Sequence, residues 1–285
     1  MRITFFGVRG SCPCSSDQYR RYGGNTSCVL VEVEDEPPLV IDLGTGLRAL
    51  GEHLEVPLRA AGVPLRANAL LTHLHYDHVL GMPFFAPMRD PGAVLDVYGP
   101  SQEGSSLHEV MSSMVKPPFF PIYMSEFRGS MFFHDIDDKS ELTLGRINVK
   151  VRAVPHIGHT LGFRVEADGR SLAYLSDHQA PVDRRSVDTG VLDLCRGADV
   201  VVHDAQYTDD EFVVHSDWGH STEAYAVHVA REAGAKRLFL FHYDPSHTDR
   251  DIERMLTHAR RIAGDRQVLE VSAAAEGTNV DLGSA

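Results

Sequence analysis

The chain of 285 residues is 43% hydrophobic, which is sufficient for the core of one large domain or of two small ones. Its formal net charge of −13, from 27 basic and 40 acidic residues, weighs against broad binding to nucleic acid, because such binding depends on neutralising phosphates. No segment approaches the roughly 20 apolar residues that a membrane-spanning helix needs. Residues 1–7 read as a strand and not as a signal peptide, and four cysteines are too few for a disulfide scaffold, so we expect a cytoplasmic protein.

The first half of the chain alternates between predicted strands and helices. Short apolar runs bounded by turn residues predict strands, and longer segments with helical spacing of apolar residues predict helices. Thr45 precedes the first helix and is a candidate N-cap. The predicted strands cover residues 2–7, 28–34, 38–43, 69–72 and 94–98, and the predicted helices cover about 46–61 and 101–115.

The second half begins with a run of strands and then alternates again. The predicted strands cover 141–154 (a hairpin), 161–167, 171–176, 199–203, 237–242 and 267–272, and the predicted helices cover 221–233 and 249–262. Mixed strands with helices on both outer sides predict an α/β protein with a four-layer αββα sandwich, in which two mixed β-sheets are flanked by helices. We expect a single domain over residues 1–285.

Residues 116–134 are rich in proline and aromatic side chains and show no clear period. Three interpretations of this segment are open. It could form a lid whose rings stack on a substrate, it could pack against a second subunit, or it could be an irregular buried connection. In the first two cases the segment is an insertion at about 112–134.

Four candidate metal ligands lie within six positions, at His73, His75, Asp77 and His78, directly after the apolar run 69–71. His73 and His75 are two residues apart, so they project to the same side of an extended segment. A catalytic zinc ion takes three protein ligands plus water. Four ligands here, with more downstream, therefore predict two metal ions that share a bridging water.

This HxHxDH cluster resembles the signature of the metallo-β-lactamase superfamily, and the later motifs of that superfamily follow in order. Three further apolar segments lead to a histidine or a carboxylate, at His156, Asp177 and His242. Strand ends are where α/β folds generally build their sites. The resemblance covers nearly the whole chain and implies the metallo-β-lactamase fold with a dinuclear metal site.

The resemblance also implies a set of ligands, residue by residue. One metal ion would be held by His73, His75 and His156, the other by Asp77, His78 and His242, and Asp177 would bridge the two. His159 competes with His156, which we prefer because it directly follows the strand that ends at Val154. Zinc is the expected metal, with manganese or iron as alternatives, because histidine and carboxylate sites accept all three.

Two more motifs resemble the ribonuclease Z and phosphodiesterase branch of the superfamily. Asp204 ends an apolar strand, and His220 opens the segment His220-Ser221-Thr222 before a helix. In that branch a carboxylate orients a histidine that serves phosphoryl transfer, so Asp204 would orient His220 to protonate the leaving alkoxide. Asp77 is implied as a further catalytic residue, because aspartates at this position hold the proton of the attacking hydroxide.

The sequence departs from ribonuclease Z in two ways. Asp204 stands where those enzymes usually carry a glutamate, and there is no long glycine-rich, basic insertion like the arm that grips transfer RNA. We therefore expect a small phosphodiester substrate such as a cyclic nucleotide, with neither a membrane nor a nucleic-acid partner. A homodimer is the default expectation. The alternatives are an RNA-processing nuclease like ribonuclease Z, and a lactonase or thioesterase that acts at a carbonyl carbon.

Overall fold

The structure, a computed structural model, describes residues 1–264 and 268–283 and contains two seven-stranded β-sheets. The first sheet has the order β14-β1-β2-β3-β4-β5-β6 and consists of β1 (Arg2–Gly7), β2 (Cys28–Glu32), β3 (Leu39–Ile41), β4 (Arg66–Leu70), β5 (Val94–Pro100), β6 (Ser130–Ile136) and β14 (Asn279–Asp281). Strands β3 to β6 run parallel, and the remaining pairs are antiparallel.

The second sheet repeats this mixture of pairings. It has the order β13-β12-β11-β10-β9-β8-β7 and consists of β7 (Glu141–Leu144), β8 (Ile147–Ala153), β9 (Leu161–Ala167), β10 (Arg170–Leu175), β11 (Val200–Asp204), β12 (Arg237–Phe241) and β13 (Glu270–Ala273). Strands β10 to β13 are parallel, and β7 to β10 are antiparallel. Each sheet therefore contributes a block of parallel strands whose carboxyl ends point the same way.

Helices cover the outer faces of both sheets. The helices of the described residues are α1 (Leu47–Ala61), α2 (Tyr76–Val79), α3 (Leu107–Met114), α4 (Thr189–Cys195), α5 (Asp209–His215), α6 (Glu223–Glu232) and α7 (Asp249–Ala263), and five of them lie on the sheets. Helices α1 and α3 share an apolar core with the first sheet, and α4, α6 and α7 pack on the second. This arrangement confirms the predicted αββα sandwich. Within residues 1–264 and 268–283, no helix combines the length and apolarity needed to cross a bilayer.

The inner faces of the two sheets meet in an apolar core. Phe5 of β1 is fully buried, and its ring centroid lies 6.1 Å from that of Phe241 on β12. The Phe241 ring in turn lies 5.6 Å from Tyr174 on β10. Burying each such ring contributes roughly 1.5–3 kcal/mol. The contact between Phe5 and Phe241 joins the two sheets, and the contact between Phe241 and Tyr174 lies within the second sheet.

One predicted helix start and one predicted N-cap are wrong for local reasons. The helix predicted over 101–115 begins only at Leu107, because Ser106 and Glu109 form a capping box in which each side chain accepts a bond from the other residue's backbone N–H. Thr45 is not an N-cap, since α1 begins after Gly46. The Thr45 hydroxyl instead accepts a hydrogen bond from the backbone N–H of Thr26 at 2.9 Å, which ties two loops together.

Several strand predictions also need correction. The strand predicted over 38–43 ends at Ile41, because Asp42 adopts a left-handed conformation with φ of 61°. Strand β4 occupies Arg66–Leu70 in place of 69–72. Strands β6 and β14 and helices α4 and α5 were not predicted. Of the last predicted strand, 267–272, residue 267 lies outside the described residues, and the observed strand is Glu270–Ala273.

The segment 116–134 contains the connection from α3 to β6, which lies over the outer core of the first sheet, and the first five residues of β6 itself. Phe120 and Phe127 are partly buried and pack on this core, with their ring centroids 6.3 Å apart. Phe119 and Tyr123 are exposed by 83% and 55%. The segment thus combines buried and exposed rings, and its role as a lid or a dimer contact stays a prediction.

Candidate metal centre

The candidate ligands lie at strand ends of both sheets. The 73–78 cluster follows β4, and His156 follows β8. In the second sheet, Asp177 and His242 follow β10 and β12, and Asp204 ends β11. The carboxyl ends of β10, β11 and β12 meet because these strands are parallel neighbours. The fold therefore gathers residues that are far apart in sequence at one edge of the sandwich.

Three histidines form the first group of candidate ligand atoms. One nitrogen each of His73, His75 and His156 lies within 4.8 Å of the others. His156 Nδ1 donates a hydrogen bond to the Gly219 carbonyl at 2.6 Å, which leaves Nε2 unprotonated in the neutral ring. The side chains of His73 and His156 are buried, with 3% and 1% exposed, whereas His75 is exposed, so this group opens toward solvent at His75.

The second group is fully buried and contains Asp77, His78, Asp177 and His242, again within 4.8 Å of one another. The Asp77 Oδ2 atom lies 3.2 Å from His78 Nε2 and 3.1 Å from His242 Nε2. His78 Nδ1 donates to the buried carboxylate of Asp42 at 2.8 Å. That bond fixes the ring and directs its Nε2 lone pair into the group, as outer carboxylates do for metal-binding histidines.

Asp177 lies between the two groups and presents one oxygen to each. Its Oδ1 atom is 3.8 Å from Nε2 of both His73 and His156. Its Oδ2 atom is 3.1 Å from His78 Nε2 and 3.3 Å from His242 Nε2. A carboxylate in this position could contact a cation in each group.

The donor set fits divalent metal ions better than a network of hydrogen bonds. Within the described residues, His73 Nε2, His78 Nε2 and Asp177 Oδ2 are buried and have no hydrogen-bond partner, although buried polar atoms usually have one. Every ion pair that Asp77 and Asp177 make in that part of the chain is with a histidine. Buried carboxylates without a fixed cation are costly, so two bound cations would satisfy both the orphaned atoms and the charge.

The pKa shifts of the buried aspartate and histidines also fit a site for metal cations. Burial alone would raise the pKa of Asp177, but His242, His78 and His73 hold it well below its usual range. Burial lowers the pKa of His73 well below its ordinary value, which keeps the ring neutral, as metal binding requires. Burial opposes charge on His78 as well, yet Asp77 and Asp177 raise its pKa. The same carboxylates would attract a metal cation.

Asp204 and His220 form a pair beside both groups. His220 Nδ1 donates to Asp204 Oδ2 at 2.8 Å, and Asp204 is also held by the backbone N–H groups of Gln206 at 2.9 Å and Ser221 at 3.1 Å. The His220 ring stacks on His242 with centroids 5.1 Å apart. An imidazole whose orientation and tautomer are set by a buried carboxylate is suited to proton transfer.

His159, the alternative third ligand, lies away from the histidine groups. Its Nε2 atom is 3.0 Å from Asp137 Oδ1, and its Nδ1 atom is 3.4 Å from the carbonyl of Ser101. The structure therefore brings His156, and not His159, to His73 and His75.

Sequence reasoning missed three features that support the centre. Asp42 is fully buried and accepts the bond from His78, and the apolar run before it is the same signal that marked Asp177. The backbone N–H of Ser11 donates to Asp77 Oδ2 at 2.8 Å, and no sequence pattern predicts this contact. His178 and His203, each next to a candidate site aspartate, form a buried pair with Nδ1 and Nε2 2.9 Å apart.

Comparison with known sequences gives a consistent family. Residues 39–243 match the family described as the beta-lactamase superfamily domain. The chain is 31% identical over 267 residues to an uncharacterized protein of Mycobacterium tuberculosis strain H37Rv, covering 88% of this chain and 84% of that protein. It is 26% identical over 304 residues to the ribonuclease Z of Natronomonas pharaonis, covering 89% and 92%.

Solved structures show the same fold. The metallo-beta-lactamase fold protein YhfI from Bacillus subtilis has a TM-score of 0.70 at 18% identity, with 98% of both chains covered. The short form of human tRNase Z has a TM-score of 0.67 at 22% identity, covering 99% of this chain and 100% of that one. The Zn(2+)-bound PqqB of Methylobacterium extorquens has a TM-score of 0.68 at 17% identity, with 99% and 100% covered. These identities support the likeness of fold alone.

Proposed function

The chain belongs to the metallo-β-lactamase superfamily of hydrolases, and we propose that within it the protein is a dinuclear metal-dependent phosphodiesterase that cleaves a small phosphodiester such as a cyclic nucleotide. The observation that carries this proposal is the Asp204–His220 pair, which lies against the candidate metal ligands. Hydrolysis at phosphorus needs a group that protonates the departing alkoxide, and an oriented imidazole supplies it.

Both metal ions would be held by the residues gathered at the strand ends. His73, His75 and His156 would hold one ion, Asp77, His78 and His242 the other, and Asp177 would contact both. Two bound ions would supply a more acidic water for the attack and positive charge for the phosphate. Zinc is our first choice, with manganese or iron as alternatives, because the donors are imidazoles and carboxylates.

The protein's own residues handle the protons. Asp204 fixes the Nδ1 proton of His220, so the proton that the ring exchanges is the one on Nε2. We assign this proton to the leaving oxygen as the P–O bond breaks. All polar contacts of Asp77 in the described part of the chain use Oδ2, so its Oδ1 atom can accept the proton of the attacking water.

The charge of the chain favours a small substrate. A net charge of −13 disfavours an extended polynucleotide, whose binding depends on phosphate neutralisation by lysine and arginine. A single phosphodiester needs positive charge only at the centre, where two divalent ions would supply it. Processing of RNA is the second candidate, and it is favoured by the similarity to ribonuclease Z.

The proposal is tested by hydrolysis assays on one purified sample whose metal content is also measured. The substrates are bis-p-nitrophenyl phosphate, 3′,5′-cyclic AMP, a precursor transfer RNA and a panel of lactones and thioesters. Cleavage of the phosphodiesters with about two metal ions per chain supports the proposal. A fully metallated protein that cleaves only lactones or thioesters would overturn it.

The role of His220 is tested by replacing it with alanine. We expect His220→Ala to keep its metal content and to lose about 10²- to 10⁴-fold in kcat, because only the proton donor is removed. His53→Ala, at an exposed position of α1, is the matched control and should behave like the wild type. Unchanged turnover in His220→Ala would exclude the pair as catalytic machinery.

A further inference from the structure

We propose that Trp218 forms a platform on which the base of the substrate stacks, so that the site selects nucleotides over phosphodiesters that lack a base. This inference rests on the proposed phosphodiesterase function and names its substrate class. Trp218 is the single tryptophan of the chain, and its side chain is 57% exposed.

The backbone holds Trp218 at the open side of the centre. Gly219, the next residue, accepts the 2.6 Å hydrogen bond from His156, and His220 follows directly. A Cβ atom on Gly219 would lie 2.4 Å from His156 Nδ1 and 3.4 Å from Ile157 Cγ1. The backbone at Gly219 is therefore in van der Waals contact with His156, and Trp218 is the residue directly before this contact.

Large apolar side chains are exposed at positions next to the candidate ligands in the chain, and we take them as the rim of the centre. Ile157, which follows His156, is 51% exposed, and Tyr76, between His75 and Asp77, is 68% exposed. Together with Trp218 they place three exposed apolar groups within two residues of candidate ligands or of the catalytic histidine. Ligand sites are lined predominantly by apolar and aromatic side chains, with a few polar groups that fix orientation.

Other rings hold the indole in place. Trp218 rests on His215 with centroids 4.5 Å apart, and His215 stacks on Tyr207 at 5.0 Å with an interplanar angle of 25°. The Tyr207 ring meets the His220 ring edge-on at 5.8 Å. A continuous row of rings thus runs from the catalytic histidine to the surface. Because the indole is already supported, stacking a ligand on it loses little conformational freedom.

A nucleobase is the group that fits this surface. A flat aromatic ring stacks on indole, and every base has such a face. The phosphodiester would be bound at the candidate metal ligands, while the base would extend along the rim toward Trp218. The inference predicts a strong preference for nucleotides and a weak preference among bases.

Because Trp218 is the only tryptophan, its fluorescence reports binding without any turnover. The probes are 3′,5′-cyclic AMP and the base-free cyclic phosphate of 1,3-propanediol, with excitation at the red edge of indole absorption. We expect saturable quenching by cyclic AMP and no quenching by the base-free compound. Calorimetry on the same samples shows whether each compound binds. Binding of cyclic AMP with unchanged emission would overturn the inference.

Variants separate the platform from the chemistry. Trp218→Ala should raise KM for cyclic AMP about 5- to 150-fold, the range expected for one base–aromatic stack, with little change for the base-free phosphate. Trp218→Phe keeps a ring and should retain most of the affinity. Val213→Ala, on the same helix as His215 and 72% exposed, is the control for folding and should match the wild type.

The outcomes distinguish the inference from the function on which it rests. Equal cleavage of both compounds, with no quenching and no effect of Trp218→Ala, would refute the platform and leave the phosphodiesterase standing. Quenching by nucleotides without cleavage of any phosphodiester would refute the proposed function and support the platform. Neither quenching nor cleavage would refute both.

Discussion

Replacing Gly219 with alanine should remove one metal ligand without touching any ligand residue. Gly219 has φ of 93°, and its carbonyl accepts the hydrogen bond from His156 Nδ1. A Cβ atom there would lie 2.4 Å from His156 Nδ1 and 2.5 Å from its Cε1 atom. Since ordinary contact begins at 3.4 Å, the ring and the loop must separate by about 1 Å.

That displacement is large on the scale of a coordination bond. A histidine nitrogen binds zinc at about 2.0–2.1 Å, so a shift of about 1 Å takes His156 out of coordination. We expect the metal content to fall from two ions toward one per chain. The left-handed backbone costs an alanine about 1–2 kcal/mol, and the lost hydrogen bond about 1 kcal/mol more, so the unfolding free energy should fall by about 2–3 kcal/mol.

Gly234→Ala is the matched control for this variant. Gly234 also has a positive φ, of 65°, but a Cβ atom there would meet no atom within 4 Å. It should lose about 1–2 kcal/mol from backbone strain alone and keep its metal. Metal content is measured by elemental analysis after dialysis, and stability by urea unfolding. Equal metal content in the two variants would show that the contact with His156 does not hold the ligand.

Two further substitutions test the surroundings of the centre and the stability of the second sheet. Asp42→Asn replaces a fully buried acceptor of His78 Nδ1 at 2.8 Å and of the Tyr174 hydroxyl at 3.0 Å, so chelator competition should show about 10- to 100-fold weaker metal binding, and unchanged affinity would contradict the assigned support. Burial raises the pKa of Asp199, but the hydrogen bond from Lys236 at 2.7 Å and other contacts outweigh it and leave the pKa lowered. A lowered carboxyl pKa contributes stability that is present above the unfolded value of about 3.9 and is lost as the pH falls through the folded value. Asp199→Asn should therefore be about 1 kcal/mol less stable than the wild type at neutral pH, with a difference that shrinks in acid during urea titrations, whereas a difference that does not vary with pH would refute the linkage.

The order of the main strands and helices could be predicted because their apolar periods are clear. The elements that were missed lack this signal. Strand β6 lies at an edge of its sheet, and only its last side chain, Ile136, is buried. Its apolar residues Met131, Phe132 and Phe133 are consecutive, so no alternation of apolar and polar residues marks the strand. Helices α4 and α5 have seven residues each and begin at the capping side chains of Asp188 and Thr208. Such short helices depend on caps and tertiary contacts more than on a repeating apolar face.

The residues of the candidate site could be named from the sequence because the resemblance to the superfamily motifs implies them. Most of them follow an apolar strand, whereas His220 follows a loop and precedes α6. The sequence favours His156 over His159 because His156 lies closer to the strand that ends near Val154, but this proximity does not place either side chain. The path of the loop decides which imidazole reaches the centre, and the Gly219 carbonyl, 63 residues further along the chain, holds His156 there. Asp42 also follows an apolar run, but the sequence predicts it as part of the strand 38–43. Its left-handed backbone, which ends the strand at Ile41, depends on tertiary contacts that the local sequence does not reveal.

The conformations of Asp42 and His242 show what the fold does to hold the centre. They occupy comparable places in the two sheets, directly after β3 and β12, and both have φ of 61°. This conformation costs a residue other than glycine about 1–2 kcal/mol, so the pair represents about 2–4 kcal/mol against a typical net stability of 5–15 kcal/mol. Glycine would relieve the strain, yet only an acceptor at 42 can orient His78, and only a nitrogen at 242 can face Asp77 and Asp177. Other non-glycine residues of the described part of the chain also have a positive φ, but at Asp42 and His242 the strained backbone carries side chains that face the candidate ligands. This indicates that the chemistry of the centre, and not stability, shapes these two strand ends.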